Sequence, residues 1–124
     1  MNKLIKSTIL ALAVLLGGMA YSQEPGHHTV KPAEFKALVD GGKGIVIDVR
    51  TSGEFAKGTI KGAVNYDYFK ALKTEMDKLD KSKTYLIFDH TGTRGPKAMA
   101  MMKDKGFKTI YLLQGGYSAY KSMK

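Results

Sequence analysis

The chain has 124 residues, with 20 Lys+Arg against 11 Asp+Glu, three His and no cysteine. That length suits one small domain, with or without a targeting segment. The missing cysteine excludes a disulfide framework, a cysteine-ligated metal and a thiolate nucleophile, and a composition of 44% hydrophobic and 25% charged residues excludes a disordered tail. The formal charge of +9 is nearly all lysine, because Arg50 and Arg94 are the only arginines.

In chain order, Met1-Asn2-Lys3-Leu4-Ile5-Lys6 is a short basic start, followed by an uncharged aliphatic run from Ile9 to Gly18. Ala20 and Ser22 place small residues three and one before Gln23, as a signal peptidase prefers. Residues 1–22 therefore read as a cleaved signal peptide, with residues 23–124 as the domain. The run is shorter than the ~20 apolar residues that span a bilayer, and no cysteine follows to carry a lipid. The expected location is periplasmic or secreted, with no stable membrane anchor after cleavage.

Gln23 to Thr29, with Pro25, Gly26 and the pair His27-His28, reads as a flexible lead-in. Pro32 opens a helix whose apolar face is Phe35, Leu38 and Val39, and Gly41-Gly42 ends it. Ile45-Val46-Ile47-Asp48-Val49 is β-branched on both faces apart from Asp48, the pattern of a strand inside a parallel sheet. A helical turn over Ser52–Lys57 and a weak strand at Ala63–Tyr66 follow. Asp67 caps a third predicted helix bearing Phe69, Leu72, Met76 and Leu79 at helical spacing. Thr84–Phe88 is a second buried strand, Pro96–Gly106 a helix, Thr109–Leu113 a third buried strand, and Tyr117–Lys124 at most a short helix. This alternation predicts an α/β fold with an open, mainly parallel sheet of about five strands and helices on both faces.

Ligands bind such sheets at the carboxyl ends of the strands. The loops there are Asp48-Val49-Arg50, Asp89 to Gly95, and Gln114-Gly115-Gly116, and both arginines fall in them. Arg50 can pair locally with Glu54. The stretch Asp89-His90-Thr91-Gly92-Thr93-Arg94-Gly95-Pro96, running from a buried strand straight into a helix, has the make-up of an anion cradle of backbone amides. The blander alternative is a plain connection with Asp89 capping the helix.

Ile47-Asp48-Val49-Arg50-Thr51-Ser52-Gly53-Glu54-Phe55 resembles the first signature of the rhodanese-like family. Gly58-Thr59-Ile60-Lys61-Gly62-Ala63-Val64-Asn65 is similar to its glycine-histidine-isoleucine-proline-glycine-alanine segment, with Thr59 and Lys61 departing. Gly106-Phe107 to Gln114-Gly115-Gly116-Tyr117 resembles its closing strand and double glycine. The resemblance implies the rhodanese-like fold over residues 23–124, with Asp89 where active members carry a persulfide-forming cysteine. It also implies an anion-binding loop of His90, Thr91, Gly92, Thr93, Arg94 and Gly95, supported by Asp48, Arg50 and Glu54. Gly95 stands where serine or threonine is frequent and His90 where arginine is. A carboxylate cannot be persulfidated, so Asp89 is expected to fill the anion site itself, held by the loop amides and Arg94.

Asp89-His90-Thr91-Gly92-Thr93 also resembles the aspartyl-phosphate motif of haloacid dehalogenase-like phosphatases. That chemistry needs a magnesium-binding acidic pair downstream, and Asp104 is the sole acid after Thr93. No histidine spacing of the zinc-enzyme kind occurs, so neither metal nor cofactor is expected. Met99, Met101 and Met102 read as core filler. The expected protein is an exported monomer without cysteine-dependent sulfur transfer. It would act as a binding or interaction module for an unknown protein or small anionic ligand, with no nucleic-acid partner. The alternative is a sulfurtransferase-class enzyme by descent, handling thiosulfate or persulfide with residual or altered activity.

Overall fold

The aliphatic runs pair side by side because each is apolar on both faces and needs cover above and below. A computed structural model, which describes residues 24–123, arranges them in one sheet. The sheet contains β1 (Gly26–Val30), β2 (Ile45–Asp48), β3 (Val64–Asn65), β4 (Thr84–Phe88) and β5 (Thr109–Leu113). All pairings are parallel, in the order β1-β5-β4-β2-β3. The leader-like residues 1–22 lie outside the described residues, among which no helix is long and apolar enough to cross a membrane.

Alternate side chains of the central strands build two cores. Ile47, Tyr85, Ile87, Ile110 and Leu112 face α3 (Leu72–Met76) and α4 (Gly95–Asp104), meeting Leu72, Met76, Ala98 and Met102. Val46, Leu86, Phe88, Tyr111 and Leu113 face the other way, onto Phe35 and Leu38 of α1 (Pro32–Asp40) and the aromatic rings of α5 (Gly116–Lys121). Met99 and Met101 pack against the first core beside the fully buried Met102, as filler. Helices thus cover both faces of a five-stranded parallel sheet, as the alternation predicts.

Two segments differ from expectation. The lead-in is the edge strand β1, paired with β5 from Gly26 to Val30. Gly26 N–H donates to the Lys108 carbonyl at 2.8 Å, His27 Nε2 lies 2.8 Å from the Phe107 carbonyl, and His28 stacks on Tyr111 at 4.8 Å. Every one of these partners is remote in sequence, so no local pattern announces the strand. The third helix is shorter than its spacing suggests. The carbonyl of Asp67 accepts from Lys70, Ala71 and Leu72 in a tight turn before helix begins, which leaves Phe69 70% exposed.

The chain leaves β2 toward one edge and β4 toward the other, so the sheet has its switch point between them. Asp48 and Phe88 are register partners, which brings the loops after β2 and β4 together.

Candidate functional site

Asp48 ends β2 fully buried and accepts from four donors. Arg50 donates its backbone N–H at 2.9 Å, Nε at 3.0 Å and Nη2 at 2.8 Å, and the Thr59 hydroxyl donates at 2.9 Å. Arg50, itself 3% exposed, also donates Nη2 to the Gly58 carbonyl at 2.6 Å and lies over the Tyr117 ring at 4.3 Å. This clip ties the end of β2 to the 58–59 turn and to α5. Removing one partner of such a buried pair costs about 3–5 kcal/mol, because the other charge is left without compensation. Thr59, a departure from the family segment, is thereby a working member of the clip.

Arg50 does not pair with Glu54, contrary to the local reading. Glu54 lies in α2 (Ser52–Lys57), where it forms a capping box with Thr51: Thr51 N–H donates to Oε1 at 3.0 Å, and Glu54 N–H donates to the Thr51 hydroxyl at 3.2 Å. Its carboxylate takes both terminal nitrogens of Arg94, at 3.0 and 3.3 Å. Hydrogen bonding from Arg94 outweighs partial burial and holds the Glu54 carboxyl down at about 2. The same contact raises Arg94. The signal Thr51-x-x-Glu54 is legible as a capping box; its tie to Arg94, 40 residues away, is not.

The loop after β4 closes on its own first residue. Asp89 is fully buried, with Oδ1 accepting from Gly92 N–H at 2.8 Å and Oδ2 from Gly95 N–H at 2.6 Å. Gly95 is the first residue of α4, so Asp89 caps the helix and fills the amide cradle at once; the two readings of the loop describe one geometry. Arg94 has no hydrogen bond to Asp89 and pairs with Glu54 instead, so the hydrogen bonds to the carboxylate come from the amides. A Cβ on Gly95 would come 2.6 Å from Leu112 and 3.2 Å from Asp89 Oδ2. The backbone is fastened from behind, since Tyr117 N–H donates to the Asp89 carbonyl at 2.8 Å and Ser118 N–H to the His90 carbonyl at 2.9 Å. His90, Thr91 and Thr93 are exposed on the outer side.

A carboxylate with both oxygens on backbone amides and no solvent contact has no open path to a substrate, which disfavours a nucleophilic aspartate. Among the described residues no three His, Asp or Glu side chains gather where a metal could sit. What the sequence did not single out is a cleft beside the loop, into which Lys57, Tyr117 and Lys121 converge with Arg50 and His90. No local spacing links α2 with α5, so only the fold brings these residues together.

The rhodanese-like domain family matches residues 31–123. A tRNA uridine(34) hydroxylase of Cytophaga hutchinsonii is 35% identical over 80% of this chain and 33% of its own length. One from Teredinibacter turnerae is 40% identical over 73% of this chain and 30% of its own. The chain thus spans about a third of the length of these curated relatives. The human single-domain sulfurtransferase, 24% identical, superposes with a TM-score of 0.71 over 77% of this chain and 96% of its own, a likeness of fold. Two expectations are overturned by the relatives. An exported, non-enzymatic interaction module does not accord with homologues named as enzymes, nor does the exclusion of nucleic acid accord with homologues named for tRNA. The reading by descent from an enzyme fits them better. Parallel sheet, cradle loop and family match agree: this chain belongs to the rhodanese-like domain family.

Proposed function

We propose that this chain serves tRNA modification as an altered, rhodanese-like unit, enzyme-class by descent, with Asp89 at the position where sulfur carriers of the family hold cysteine. The observation that carries this reading is the 30–40% identity to proteins named tRNA uridine(34) hydroxylase. The chemistry assigned to the unit is restricted by its residues. Asp89 cannot accept a sulfane sulfur and the chain holds no cysteine. The part we assign to it, from the relatives named for tRNA, is to hold RNA and position it, with the amide-bound carboxylate keeping the loop in one shape.

The test is nucleoside analysis by mass spectrometry of tRNA from cells lacking the gene. Loss of hydroxylated uridine, restored by the wild-type chain, is the expected result. Unchanged modification, together with no retention of tRNA by the purified chain at low salt, overturns it. Location is a second check, because the leader expected from residues 1–22 and a tRNA substrate make opposite demands. Fractionation should recover the chain with cytosolic markers; a shortened chain outside the cytoplasmic membrane sinks the proposal.

A further inference from the structure

The cleft beside the 89–95 loop has a volume of about 270 Å³. Its walls include Arg50 stacked on Tyr117, and Lys57, Lys121 and His90 stand exposed around it, with Glu54 and Gly58 completing the lining. The Arg50 side chain is only 4% exposed. Its Nε and Nη2 are engaged by Asp48 and the Gly58 carbonyl, whereas Nη1 has no acceptor among the described residues. No buried side-chain nitrogen or oxygen there lacks a partner, so Nη1 must reach open space. Arg50 is among the residues that line the cleft.

The charges around it do not cancel. Asp48 neutralises Arg50 and Arg94 neutralises Glu54. Lys57 and Lys121 have no ion pair among the described residues, and the Lys121 ammonium lies 5.2 Å from the Tyr117 ring centre. The neighbouring amide cradle is already filled by Asp89. We infer that the cleft binds a phosphate group of a nucleotide, free or within an RNA strand. Arg50 Nη1 donates to one phosphate oxygen, and Lys57 and Lys121 supply the charge. A cleft of this volume has room for a phosphate group. The inference rests on the tRNA reading for the source of the phosphate, not for its chemistry.

The full chain is titrated with inorganic phosphate, with uridine 5′-monophosphate and with a short unstructured oligoribonucleotide, following binding by anisotropy and the His90 and Tyr117 resonances. The double variant Lys57→Gln/Lys121→Gln removes two exposed charges from the cleft, and Lys70→Gln/Lys73→Gln removes two elsewhere. The cleft variant should weaken oligonucleotide binding about tenfold and lower the salt slope by about 0.7, the value for one phosphate contact on a single strand, with the control little changed. Equal weakening by both variants overturns the site while leaving the tRNA reading intact. Phosphate or the mononucleotide shifting the cleft resonances, with no oligonucleotide binding, keeps the site and removes RNA as its source. Silence from all three probes removes both.

Discussion

Asp89 joins a fully buried carboxylate to two backbone amides, and that geometry sets what each substitution at the loop does. Asp89→Asn keeps the shape but turns an amide NH₂ toward Gly92 or Gly95 N–H, donor against donor. The expected cost is about 2 kcal/mol, within the range for a buried polar group left unsatisfied, read as a lower urea midpoint with unchanged slope. An unchanged midpoint would mean that the loop does not depend on the carboxylate. Gly116 is the second fixed point. It has φ of +67°, and a Cβ there would lie 2.5 Å from the His90 carbonyl and 2.7 Å from Asp89 Oδ1. Gly116→Ala should therefore destabilise by about 2 kcal/mol or more, from overpacking added to a left-handed backbone, again measured by urea unfolding. Gly95 follows the same logic. A Cβ there would lie 2.6 Å from the Leu112 side chain and 3.2 Å from Asp89 Oδ2, so glycine at 95 chiefly leaves room for Leu112 beside the Asp89 carboxylate.

At the scale of elements, α2 is unusual in burying none of its residues. Polar ties at its N-terminus hold it, chiefly the capping box and the Glu54–Arg94 pair. Because the folded Glu54 carboxyl sits at about 2, below its ordinary value of 4.5, its contribution is complete above 4.5 and is lost as pH falls toward 2. Glu54→Gln should flatten stability across that window, by about 1 kcal/mol after allowance for solvent screening. Thermal melts of both proteins at neutral and acidic pH measure it, and parallel profiles would refute the assignment. This pair also marks how far sequence carries. The β-branched runs of β2, β4 and β5 announce themselves, as does α1 between Pro32 and Gly41. The ion pairs do not, because sheet pairing decides them: Arg50 turns back to Asp48, and Arg94 reaches across to Glu54. The strand β1 escapes for the same reason, its hydrogen-bond partners lying some 80 residues downstream.

For the whole molecule, surface chemistry favours a polyanion over a protein partner. The large hydrophobics exposed among the described residues are Ile45, Val64 and Phe69, too few for an apolar docking patch. The charge is instead +9 and carried mostly on lysine, with each arginine already paired to a carboxylate. Lysine meets phosphate as a point charge and lacks the planar fork that pairs with a base edge. Binding built on it should be sequence-tolerant and steep in salt. With about four phosphate contacts on single-stranded RNA, affinity should fall about fiftyfold between about 50 and 200 mM salt. Scrambled oligoribonucleotides of equal length should bind within about threefold of one another, since phosphate contacts carry no sequence information. Anisotropy titrations across salt and sequence check both at once. A shallow salt slope with strong sequence preference would assign recognition to base contacts, and the lysine surface would then be only a solvated face.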